Sequence, residues 1–113
     1  MDRFDQGVEG MAQRTPPKSV LEYVHHLKET YSDLRKVYMF GSFTKGSSGK
    51  DSDIDLAMVF DDVVDIFDLQ VELMKIRRNY DSRIEPHVFR LADFDESHPL
   101  AGEIITTGVE VSE

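Results

Sequence analysis

Residues 37–60 read VYMFGSFTKGSSGKDSDIDLAMVF, and this stretch decides the fold. Its opening belongs to a short aromatic and β-branched run, Arg35 to Phe40, that meets Gly41-Ser42 and so reads as a strand closing in a tight turn. Ten mostly small or polar residues follow, and Asp53 to Phe60 (DIDLAMVF) then reads as a second strand. Side chains alternate along a strand, so Asp53 and Asp55 share one face while Ile54, Leu56, Met58 and Phe60 occupy the other. Two carboxylates therefore project from an apolar scaffold. Their Cα atoms stand ~6–7 Å apart, which lets them converge on one or two divalent cations. Gly41 lacks a Cβ, so a phosphate can approach its backbone, and Ser42 offers both an N–H and a hydroxyl.

Upstream, Pro16 and Pro17 precede Val20, Val24, Leu27 and Tyr31 at helical spacing, with Ser19 and Glu22 placed to form a capping box. Residues 1–14 are polar, contain Gly7 and Gly10, and read as a flexible arm ahead of a single domain over 15–113. Downstream, residues 62–80 are expected to be helical, with two apolar stripes: Val64, Phe67, Val71, Met74 and Ile66, Leu69, Leu73, Ile76, separated by Gln70 and Arg77. One stripe packs on the sheet. The other either covers more core, the expected arrangement in so small a domain, or faces a partner. Arg83 to Arg90 (RIEPHVFR) reads as a third strand with Glu85 and His87 on one face, and Pro86 argues for an edge or bulged position. Ser97 or His98 before Pro99 opens a last helix through about Thr106, with Gly108 at its end. This alternation predicts an α/β (α+β) fold, a mixed sheet with helices packed on it.

The 113 residues carry 13 Lys plus Arg against 22 Asp plus Glu, a net charge of −9, which argues against a nucleic acid acceptor or an anionic membrane. A chain of this size supports one core, so a second substrate site is expected from another chain. The opening MDRFDQGVEGMAQR lacks the apolar core of a signal peptide and no stretch approaches a membrane span, so a cytoplasmic location is expected. With no Cys, chemistry falls to carboxylates, hydroxyls and four His, and hard cations become the expected cofactors.

Gly41-Ser42, ten residues, then Asp53-Ile54-Asp55 resembles the GS-x10-DxD pattern of the DNA polymerase β-like nucleotidyltransferases, and the length is similar to that of their minimal branch, the MNT proteins. The IEPHVF stretch at 84–89 is similar to the strand carrying that family's third carboxylate. The resemblance implies a palm-like mixed sheet and transfer of a nucleoside monophosphate, as AMP from ATP, with release of pyrophosphate and two Mg²⁺ ions. Asp53, Asp55 and Glu85 would be the catalytic metal ligands, and Gly41, Ser42 and Lys45 would hold phosphate. It also implies a helical HEPN-type partner, either as the protein modified or as the subunit that binds the acceptor. Many relatives have Asp at the third acidic position and Arg at the position of Lys45. Glu remains a competent oxygen ligand, and Lys supplies a point charge in place of a bidentate fork.

Other motifs fail on spacing. Thr44 and Asp51 break a P-loop, and Leu56 and Asp62 break an EF-hand. His25 and His26 are expected to have surface or packing roles, His87 to be hydrogen-bonded on its sheet face, and Asp61, Asp62, Asp65 and Asp68 to form a helix N-terminus and solvated face. Two other functions fit the same residues: a non-catalytic antitoxin that binds a helical partner through the second apolar stripe, and a small-molecule, aminoglycoside-like transferase that gains acceptor room as a homo-oligomer.

Overall fold

The structure is a computed structural model that describes residues 15–41 and 53–112. The expected arm at 1–14 lies outside the described residues, as do Ser42, Lys45 and the rest of the loop to residue 52. The described elements are α1 (Lys18–Thr30), β1 (Leu34–Phe40), β2 (Ile54–Phe60), α2 (Ile66–Ile76) continued by a 3-10 turn (Arg77–Asn79), β3 (Ile84–Arg90), a second 3-10 turn (Leu91–Asp93), α3 (Pro99–Thr107) and β4 (Val109–Glu110). The sheet order is β3-β2-β1-β4. β1 runs antiparallel to β2 and β4, whereas β2 and β3 are parallel, with α2 as the crossover that a parallel pair requires. This is the palm-like mixed sheet expected from the sequence.

Both faces of β2 are buried. Ile54, Leu56, Met58 and Phe60 pack against Tyr23, Val24 and Leu27 of α1 and Leu73 of α2. On the opposite face Ala57 and Val59 pack with Phe89, Phe94 and the α3 residues Ala101 and Ile104, and Phe40 is partly buried against the same cluster. Tyr23 ties the first layer together, its buried hydroxyl donating to the Leu73 carbonyl at 2.9 Å. Burial pushes its phenol pKa well above the ordinary value.

Several local expectations change. α1 has Pro17 at its N-cap position, with no side-chain cap. Ser19 does not form a capping box with Glu22, because its hydroxyl donates instead to Asp81 Oδ2 at 2.8 Å across 62 residues of sequence. Arg83 grips the same carboxylate at 2.8 Å and 3.0 Å, and this hydrogen bonding holds Asp81 well below the usual carboxylate range despite its burial. α2 begins later than residue 62, because Asp65 caps it by accepting from the Asp68 N–H at 3.0 Å. Val64 is thereby left outside the helix. Ile66, Leu69, Leu73 and Ile76 face the core as expected, whereas Val64 and Phe67 of the other stripe are 99% and 73% exposed and cover no core. β4 was not expected, since two residues are too short to show a strand period.

Pro86 lies on an edge strand, as its missing N–H requires. That edge is closed by α2 and the segment before it. Gln70 Nε2 donates to the Pro86 carbonyl while its Oε1 accepts from the Val88 N–H at 3.2 Å. Arg77 donates to the Ile84 carbonyl at 2.6 Å, and Arg90 donates to the Val63 carbonyl at 3.0 Å. Gln70 and Arg77, which divide the two apolar stripes in the sequence, thus supply the edge strand with bonds that a further strand would otherwise make.

Candidate active site

The acidic residues gather at one end of the sheet, where β2 begins. Asp55 sits at the start of β2, opposite Phe40 on β1 and directly opposite Glu85 on β3. Adjacent strands run ~4.8 Å apart, so in-register residues on one face bring their side chains together. Asp53 immediately precedes β2 and is exposed, and strand alternation puts it on the same side as the half-buried Asp55. The structure therefore brings Asp55 and Glu85 together, with Asp53 two residues along the chain.

Gly41 closes this end of β1 with φ +88°, a left-handed conformation in which a Cβ is strained. A Cβ there would also overlap Asp55 Oδ2, with the Asp55 Cγ only 3.3 Å away. The glycine is thus required twice, by the turn and by the carboxylate packed against it. From sequence the residue was singled out for close approach of a phosphate; the nearest occupant of that space is the Asp55 carboxylate itself.

Each paired acid has a cationic or imidazole neighbour. His87 Nε2 lies 3.0 Å from Asp55 Oδ1, and its ring packs on Phe40 at 5.3 Å between centroids. This is the hydrogen-bonded histidine on a sheet face expected from sequence. Arg77, with its side chain only 19% exposed, donates to Glu85 Oε2 at 3.1 Å as well as to the Ile84 carbonyl. Sequence reasoning missed this contact, although a lone arginine at the border of an apolar helix face was a signal that the side chain reaches a partner across the sheet edge.

The donor set is chemically suited to Mg²⁺, since Asp53, Asp55 and Glu85 all offer hard carboxylate oxygens. Among the described residues, no three His, Asp or Glu side chains already stand in a metal-holding cluster. Asp55 Oδ1 and Glu85 Oε2 are instead engaged by His87 and Arg77. His25 and His26 lie apart on α1, where His26 Nδ1 is 3.0 Å from the Tyr80 hydroxyl and His25 is 3.2 Å from Glu29. Asp61 pairs with Arg35 at 2.7 Å, and Asp65 caps α2, in keeping with a solvated helix N-terminus. No helix among the described residues is long and apolar enough to cross a membrane.

Comparison with known proteins follows the same lines. No curated protein matches the chain. A putative nucleotidyltransferase from Sulfolobus solfataricus is similar in structure with a TM-score of 0.59 and 23% identity, over 82% of this chain and 76% of that one. A crystal structure of a toxin-antitoxin with AMP-PNP gives 0.61 and 24% identity, over 83% and 72% of the two chains. The structure of a tri-AMPylated Shewanella oneidensis HEPN toxin in complex with MNT antitoxin gives 0.51 and 24%, over 81% and 70%. These likenesses establish the MNT-like fold. The family model for polymerase beta nucleotidyltransferases matches residues 22–113, most of the chain and every described acid of the site, and the chain belongs to that family.

Proposed function

We propose that this protein is a Mg²⁺-dependent nucleotidyltransferase that moves AMP from ATP to a HEPN-like partner protein, or to an acceptor held by that partner, and releases pyrophosphate. The observation that carries this reading is the register of β2 against β3, which sets Glu85 beside Asp55 while Gly41 closes the turn against the same carboxylate. Asp53, Asp55 and Glu85 are the proposed metal ligands. Gly41, Ser42 and Lys45 are the proposed phosphate contacts, the last two carried over from the family pattern. Magnesium, when bound, supplies charge neutralisation for the triphosphate and the leaving pyrophosphate.

An acceptor hydroxyl attacks the α-phosphorus and gives up its proton to the Glu85 carboxylate beside it, the bond from that phosphorus to the bridging oxygen of the β-phosphate breaks, and pyrophosphate departs in line. Arg77 holds Glu85 at the strand edge, and His87 holds Asp55 from the neighbouring strand. Similarity to the AMP-PNP complex and to the AMPylated HEPN toxin complex supports ATP as donor and a HEPN-type protein as partner.

A second reading has its own observation. Val64 and Phe67 are the two most exposed large apolar side chains among the described residues, the first just ahead of α2 and the second in its first turn. Such a pair suits protein binding without catalysis. Co-expression with the protein encoded by the adjacent reading frame separates the two readings. Transfer predicts that the partner gains nucleotidyl mass and that an Asp53→Asn, Asp55→Asn double variant fails to modify it. Binding alone predicts full neutralisation of the partner by the double variant.

A further inference from the structure

We infer that the outward face of α2 pairs with the same face of a second copy of this chain, the two helices running antiparallel about a two-fold axis. Val64, Phe67, Val71 and Met74 recur at intervals of three, four and three residues, the spacing of a seam between two helices. Within α2, Phe67, Val71 and Met74 lie on the side away from Ile66, Leu69, Leu73 and Ile76, which face the core. Val64 and Phe67 are exposed, Val71 and Met74 are half-buried, and none of the four joins either apolar cluster of the fold. From Phe67 to Met74 the seam runs ~10 Å, about two turns of helix.

The charges beside the seam identify what covers it. Asp68 in the first turn and Lys75 in the last are seven residues apart, so they flank the seam on the same side. Both are exposed, and among the described residues neither side chain has an ion-pair partner. A parallel pair of helices would set Asp68 against Asp68. Turned end for end, Asp68 of one protomer meets Lys75 of its partner, and the reciprocal pair forms at the other end. Exposed Asp62 and Asp65 lie ahead of the acidic end, and exposed Arg78 lies just past the basic one. A uniformly basic partner would be repelled by Lys75 and Arg78, whereas a second copy matches both ends. Two chains of net charge −9 repel at long range and the seam is short, so the dimer is weak and concentration-dependent.

The test is sedimentation equilibrium of the full chain at physiological salt, over about 10 µM to 1 mM protein. The wild-type protein is expected to pass from monomer to dimer across that range and to form no larger species. Phe67→Asp should weaken the dimer at least tenfold. Asp68→Lys and Lys75→Asp each turn two attractions into two repulsions and should weaken it about tenfold alone, while their equimolar mixture regains wild-type association. Far-ultraviolet circular dichroism unchanged from wild type reports that the variants are folded. A chain that stays monomeric, a dimer indifferent to Phe67→Asp, or a mixture no tighter than either variant alone overturns the inference. A monomer whose α2 face is protected from hydrogen exchange only by the protein encoded in the adjacent reading frame assigns the face to a heterologous partner, and overturns it as well.

Discussion

A methyl group on Gly41 would meet two obstacles, a φ of +88° and the Asp55 carboxylate. The left-handed conformation alone costs an L-residue ~1–2 kcal/mol, and relief of the overlap would displace Asp55. Gly41→Ala is therefore expected to lower the urea midpoint and to reduce nucleotidyl transfer more than its stability loss explains. Asp81 makes a different prediction. Its folded pKa lies below the unfolded value of ~3.9, so its contribution to stability is full above about pH 5 and is lost as pH falls toward the depressed folded value. Urea midpoints of wild type and Asp81→Asn should differ most near neutral pH and converge in acid. Asp53 and Asp55 were legible in the sequence because strand alternation is local. The closeness of Asp55 to Glu85, and the grip of Arg77 on the latter, depend on a register between strands 30 residues apart, which the chain does not display locally.

α2 does two jobs with two kinds of residue. Its apolar stripe packs on the sheet, and Gln70 bonds both the Pro86 carbonyl and the Val88 N–H on the outer edge of β3. Gln70→Ala leaves both backbone groups without that partner and should destabilise the fold by about 1–3 kcal/mol, read from urea denaturation. Phe67 faces the other way. Because it is 73% exposed, Phe67→Asp should change stability by no more than about 0.5 kcal/mol, while partner binding, read by calorimetry, should weaken at least tenfold. Helical spacing revealed both stripes. It could not say where the helix starts, which the Asp65 cap decides and which leaves Val64 outside it, nor that the face carrying Phe67 meets no core. β3 was legible as an edge strand through Pro86 alone, whereas β4 exists only by pairing with Tyr38 and Met39.

The described residues form a sheet with α1 and α2 on one face and α3 on the other. Asp53, Asp55 and Glu85 lie at the end where β2 begins. The net charge of −9 divides accordingly: three of the 22 acids belong to the proposed metal site, and the remaining excess still disfavours a nucleic acid acceptor. The proposed function puts the acceptor on a partner. Intact-mass measurement of the co-expressed partner after incubation with Mg²⁺ and ATP tests this most directly. The account predicts a gain of one or more AMP masses with wild-type protein and none with Asp53→Asn, Asp55→Asn. An equal gain with the double variant would contradict it.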